Sequence, residues 1–226
     1  MYLFLSHTLE SNTPSYGNSS KVKIELTRSI KNGDTSNEHM LSFSNHISTH
    51  IDSPYHFDEN GKSLDDFNPD FWICNSPFLI TKEFDPEEII SFEKLETEFQ
   101  NIPKNTDCLL LKTNFEKFRN NIEIYSFKNP SISPDVPIWL RNNLNLKFFG
   151  IDYISISSRA NRELGRETHR AFLCNTYSGL SLNKDPILLL EDMKLENLNS
   201  SPKKIIISPL IFTKSDGAPT TILAEL

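Results

Sequence analysis

Glycine is scarce in this chain, with seven residues in 226, and none stands in a G-x-G-x-x-G or Walker pattern. The common phosphate-cradling loops are therefore excluded. Cysteine is sparser still. Cys74, Cys108 and Cys174 are odd in number and scattered, which argues against a disulfide framework, fits a reducing cytoplasm and makes each thiol a small buried hydrophobe. No apolar run reaches the roughly 20 residues of a membrane-spanning helix. The opening Met-Tyr-Leu-Phe-Leu-Ser-His is too short and too poor in basic residues to read as a signal peptide. Basic residues are also in deficit, 23 against 30 acidic ones, and the net charge of −7 argues against nucleic acid or anionic membranes as partners. Linkers, low-complexity tracts and repeats are missing too. One domain over residues 1–226, located in the cytoplasm, is the expectation.

What is present begins with five short apolar runs that read as strands, at 78–81, 108–113, 147–151, 187–190 and 205–210. Several are continuous rather than alternating, as in strands covered on both faces. Helical patterns fall between them. Pro86-Glu-Glu-Ile-Ile predicts one helix start, with Asp85 as its N-cap. Ser133-Pro-Asp-Val-Pro-Ile-Trp-Leu predicts another, whose face of Val136, Trp139 and Leu140 marks Trp139 as core. His169, Phe172, Leu173 and Thr176 share helical spacing, which places His169 near the start of a third. Gly150 reads as the end of a strand and Gly217 as part of a turn after Asp216. This alternation of strands and helices predicts the α/β class.

Histidine is where the chain is concentrated. Three of its six histidines fall in the run from 46 to 57, His-Ile-Ser-Thr-His-Ile-Asp-Ser-Pro-Tyr-His-Phe. Neutral imidazole and carboxylate are the ligand set that suits zinc and related divalent metals. Spacing decides which of them can meet at one ion. A straight strand would hold His46 and His50 roughly 13 Å apart at about 3.3 Å per residue, too far for metal bonds of about 2 Å. A tight turn brings them together, and an extended step through Ile51 returns Asp52 to the same point. Pro54 ends any helical turn by Ser53. His56 then stands where it can move protons beside a metal-bound water. A loop without chemistry has no reason to gather groups so costly to bury unpaired, so the run reads as half of a metal-dependent hydrolase site. His169 and Glu191 are candidates for the other half, Glu191 because it follows an apolar strand where functional side chains of α/β sheets gather.

The same run resembles the H-x-G-T-H-x-D-x-P-x-H-F signature of the cyclase-like metal-dependent hydrolases, the superfamily of bacterial kynurenine formamidase and isatin hydrolase. Further elements are similar along nearly the whole chain: Leu5-Ser6-His7 with Thr13-Pro14-Ser15-Tyr16, the strand at 109–113, Trp139-Leu140, and Gly150-Ile151-Asp152 with Ser155. Residues 186–192 and Pro209-Leu210 with Asp216-Gly-Ala-Pro219 complete the likeness. It implies a swivelling β/α/β fold and one or two divalent ions, zinc foremost with manganese admitted. It also implies His46, His50, Asp52, His169 and Glu191 as metal ligands, His56 as the proton-transfer residue, and Tyr16 as an aromatic group against the substrate. Two positions depart from the pattern. Ser48 replaces the signature glycine, and Thr221 stands where many members carry arginine.

The activity so implied is hydrolysis of an amide, formamide or lactam C–N bond in a small molecule. Tyr16, Phe43, Phe57 and Phe71 are available as an apolar wall for an aryl substrate. Two alternatives stay open: a metal-dependent cyclase or dehydratase, and a metal-binding homologue without catalysis. The resemblance further implies a homodimer or higher homo-oligomer.

Overall fold

The computed structural model describes residues 1–182 and 184–226. Four of the apolar runs form the parallel part of a nine-stranded mixed sheet, in the order Pro77–Thr81, Cys108–Lys112, Phe148–Ile151, Leu188–Glu191. Every residue of the last three is buried. Because successive side chains leave opposite faces of a strand, Leu109, Leu111, Phe149, Ile151 and Leu189 join one apolar cluster, and Cys108, Leu110, Phe148, Leu188 and Leu190 join another. That division is why these runs are continuous rather than alternating.

Helices Phe92–Gln100, Asp135–Asn143 and Arg162–Leu173 cover the first face with Leu95, Phe99, Val136, Leu140, Phe172 and Leu173. Trp139 packs there as expected, stacked on Phe92 with ring centroids 5.4 Å apart. On the other side of Leu188–Glu191 the sheet turns antiparallel, through His50–Asp52, Gly217–Glu225 and Lys204–Pro209 to Ile73–Cys74. Tyr2–Phe4 pairs with the far end of Gly217–Glu225. The two ends of the sheet, Ile73–Cys74 and Pro77–Thr81, are separated in the chain only by Asn75 and Ser76. The sheet therefore curls until it is nearly closed, and the second cluster, with Trp72, Ile205, Ile207 and Ile222, becomes its interior. This is the expected α/β architecture. All three cysteines are free and buried. No helix among the described residues is long and apolar enough to cross a membrane.

Three local expectations need correction. Residues 86–90 do not begin a helix: Glu87 takes a left-handed φ of 62° and Ile89–Ile90 pairs as a strand with Ser131–Ile132, so the helix starts at Phe92 with Ser91 as its N-cap. Two successive β-branched residues, one exposed and one buried, suit a strand better than a helix start. His169 lies in the second half of Arg162–Leu173, not at its start, and Thr176 belongs to a separate strand. Gly150 lies inside its strand, and Gly217 opens one.

One element stands away from the body. The hairpin of Lys23–Arg28 and Glu38–Ser42 is exposed at every residue, with Ile24, Leu26, Met40 and Leu41 in solvent. Isolated two-stranded hairpins are marginally stable in water.

Candidate metal centre

The signature run folds as a bend followed by the strand His50–Asp52 and the 3-10 turn Pro54–His56. Ser48 holds the bend with a left-handed φ of 58°, a conformation costing a non-glycine residue about 1–3 kcal/mol. Its carbonyl oxygen thereby accepts a 2.9 Å hydrogen bond from His50 Nδ1. The strand register brings the remaining parts together. Glu191 pairs with His50 on one side and Gly217 with Asp52 on the other, while the helix Arg162–Leu173 delivers His169 from above the sheet.

His50 and His169 are fixed in the same way. Each donates Nδ1–H to a main-chain carbonyl, of Ser48 and of Gly165 (2.7 Å), and so turns Nε2 inward. His50 Nε2 is 3.5 Å from Asp52 Oδ1 and from Glu191 Oε2, and His169 Nε2 is 3.7 Å from Asp52 Oδ2 and from Glu191 Oε1. Burial outweighs the Asp52 charge and lowers both imidazoles, His169 to about 4, so each presents a lone pair at neutral pH. Burial and the Asp52 charge push Glu191 well above the carboxylate range. For Asp52 burial opposes ionisation, but His46 and the other histidines hold its carboxyl well below the usual range.

His46 lies flat against Gly217, where a Cβ would come within 2.4 Å of Cε1. Its Nδ1 is 2.8 Å from Asp52 Oδ1 and its Nε2 2.8 Å from Asp216 Oδ2. Burial opposes its charged form, yet these two carboxylates raise it to about 10. His56 Nδ1 lies 3.0 Å from the same Asp216 oxygen. The hydrogen bond from His46 takes the Asp216 carboxyl down to about 2 against the effect of burial.

Two overlapping groups have ligand-type atoms within 4.8 Å of one another, His46–Asp52–His56 and His50–Asp52–Glu191, with Asp52 common to both. Among the described residues no lysine or arginine pairs with Asp52 or Glu191; their ion-pair partners are all histidines. Neutral His50 and His169 converge on Asp52 and Glu191, and the charged His46 is, among the described residues, the one cationic side chain paired with Asp52. Imidazole and carboxylate so gathered are the donor set of a divalent ion, and the residues present fit one.

A cavity of about 310 Å³ opens onto this cage, and all seven residues expected from the sequence line it: Tyr16, His46, His50, Asp52, His56, His169 and Glu191. Of the expected aromatic wall, Phe57 is present and stacks on His169 at 4.8 Å. Phe43 lines a separate pocket with Leu210 and Phe212, and Phe71 packs on Phe67, Trp72 and Phe148. Serines 15, 19, 20, 44, 48, 155 and 157 line the rest together with Pro14, Ile47 and Ile154, so the cavity offers both hydroxyl groups and apolar surface. Thr221 lies in a different cleft, beside Ser6 and Lys194. The residue that the sequence reading missed is Asp216. Its signal was its place at the head of the Asp-Gly-Ala-Pro element, which reads as a turn alone.

Comparison with known proteins bears on the fold and the family. The kynurenine formamidase of Bacillus cereus is 24% identical over 218 residues, covering 96% of this chain and 94% of that protein. Cyclase-like protein 1 of Arabidopsis thaliana is 26% identical over 222 residues, covering 96% and 81%. The structure of isatin hydrolase A from Ralstonia solanacearum superposes with a TM-score of 0.78 at 18% identity, covering 99% of this chain and 91% of that one, so the fold is shared. The Cyclase family model, described as "Putative cyclase", matches residues 3–158, more than half of the chain. The chain belongs to the Cyclase family.

Proposed function

We propose that this protein is a metal-dependent hydrolase, one domain over residues 1–226, that cleaves an amide, formamide or lactam C–N bond of a small molecule. The observation that carries the proposal is the buried cage of His50, Asp52, His169 and Glu191, which has no lysine or arginine partner among the described residues and opens on a cavity that also holds His56. His46, His50, Asp52, His169 and Glu191 would hold one or two divalent ions, zinc foremost and manganese second. A bound ion supplies Lewis acidity and lowers the pKa of water from about 15.7 toward about 7.

The chain's own groups do the rest. Tyr16 and Phe57 flank the substrate, and burial pushes the Tyr16 phenol up, so its hydroxyl stays protonated and able to donate. His56 takes a proton at the site and returns it to the leaving nitrogen, a role typically worth about 10²–10⁴-fold in rate. The relatives' names, kynurenine formamidase and isatin hydrolase, support formamides and cyclic amides as the substrate class. A cytoplasmic homodimer is part of the proposal. The free cysteines support the compartment, and the exposed apolar hairpin supports a second copy.

Metal-stripped protein and protein reconstituted with zinc or manganese, assayed on N-formylkynurenine, isatin and simple lactams, test the reading. Turnover confined to the reconstituted samples is expected. Full activity of the stripped protein would overturn it, and ring closure without hydrolysis would favour a cyclase.

A further inference from the structure

Asp216 touches both halves of the proposed machinery. We propose that it is a positioning residue: one carboxylate oxygen orients the ligand His46 and the proton-transfer group His56 together. The His56 half rests on the hydrolase reading; the His46 half does not.

Four observations carry it. First, Asp216 Oδ2 lies 2.8 Å from His46 Nε2 and 3.0 Å from His56 Nδ1, and the two rings are 4.1 Å apart at 31°, so both imidazoles converge on one acceptor. Second, the carboxylate is itself anchored. Asn45 Nδ2 donates to Asp216 Oδ1 at 2.8 Å and to the Gly217 carbonyl at 3.1 Å, while Ser53 N and Oγ donate to the Asp216 carbonyl at 2.9 and 3.0 Å.

Third, His46 differs from the other imidazoles of the cage. His50 and His169 rest on main-chain carbonyls, whereas His46 turns its outer nitrogen to a carboxylate and its inner one to Asp52. A carboxylate behind a ligating imidazole fixes its tautomer and raises its basicity. Fourth, the 3.0 Å contact of His56 Nδ1 with a carboxylate oxygen favours the tautomer that carries its proton on Nδ1 and leaves Nε2 for exchange. His46 and His56 flank the strand His50–Asp52, and Asp216 sits just before the neighbouring strand, so this one contact locks both ends of the signature run.

The test measures metal affinity and turnover separately, on the intact chain. Asp216→Asn should weaken zinc binding, read by competition with a chromophoric chelator, by about 10–100-fold. At saturating metal it should lower kcat at least about 10-fold with KM within about two-fold, and in a His56→Ala background it should lower kcat no further, because it acts through His56. The absorption of the cobalt-loaded variant should keep the wild-type coordination number. Asn45→Ala, which releases the anchor and leaves the charge, should show both losses at smaller size and serves if Asp216→Asn does not fold.

Unchanged metal affinity, or a kcat loss that multiplies with His56→Ala, would overturn the proposal. So would a cobalt spectrum that loses a ligand as His46→Ala does, because Asp216 would then bind the metal itself. If wild-type protein turns over no amide, the hydrolase reading falls alone, and the affinity measurement still decides the His46 half.

Discussion

Glu191 and Asp192 are consecutive and both buried, yet they serve regions that treat a buried carboxylate in opposite ways. The chain turns at Asp192, with φ of 51°, and sends its side chain away from the cage. There Arg119 grips it through Nε and Nη2 at 3.0 and 2.9 Å, and the Tyr125 hydroxyl donates to it at 2.5 Å. That network carries its own cation and is complete. Among the described residues Glu191 has only the Ile156 N–H at 2.8 Å, the Ser155 hydroxyl at 3.2 Å and two imidazoles facing it with lone pairs. The proposed divalent ion would complete the second arrangement. A buried charge is expensive unless paired: Asp192 has Arg119, whereas Glu191 is pushed toward its neutral form, as a carboxyl that awaits the proposed ion would be.

The largest way to break this contrast is His50→Ala. It should abolish metal binding and turnover together, measured by elemental analysis and substrate assay. His56→Ala should keep the metal while turnover falls about 10²–10⁴-fold. Loss of the metal instead would make His56 a ligand within the His46–Asp52 group.

Stability sharpens the comparison next. Asp192→Asn leaves Arg119 without its carboxylate in a largely buried position, and should cost about 3–5 kcal/mol in denaturant unfolding. Glu191→Gln replaces a carboxyl that the metal-free fold already keeps protonated. It should change metal-free stability by less than about 1 kcal/mol, yet remove the rise in Tm that added metal gives wild type.

The smallest effect concerns Glu116, which accepts from Leu195 N and Glu196 N at 2.8 and 2.9 Å beside His7. Burial, only partly offset by those bonds, raises its carboxyl to about 7 from an ordinary 4.5. The folded state therefore binds the proton more tightly, and the stability this contributes is full below pH 4.5 and lost as pH rises through 7. Glu116→Gln mimics the protonated form, so its Tm relative to wild type should climb between pH 5 and 8. A difference independent of pH would contradict this.

Much of the fold was legible because continuous apolar strands, such as 108–112 and 148–151, declare burial on both faces. The gathering of the candidate site was legible because four of its residues, His46, His50, Asp52 and His56, cluster in sequence and the proline at 54 limits the turn. What escaped depended on long-range register or on backbone conformation. Asp216 reaches His46 and His56 only through the pairing of Gly217 with Asp52, some 160 residues away in the chain, which no local pattern encodes. The helix start was misplaced because Glu87 adopts a left-handed conformation that its side chain does not advertise. Phe43 and Phe71 lie near the signature in sequence but face other surroundings, since proximity along a chain does not set direction.

The most direct test of the central claim is turnover followed during stepwise addition of zinc or manganese to metal-stripped protein. The account predicts activity that rises from background with each increment and levels off at one or two ions per chain. Turnover already complete before any metal is added would contradict it.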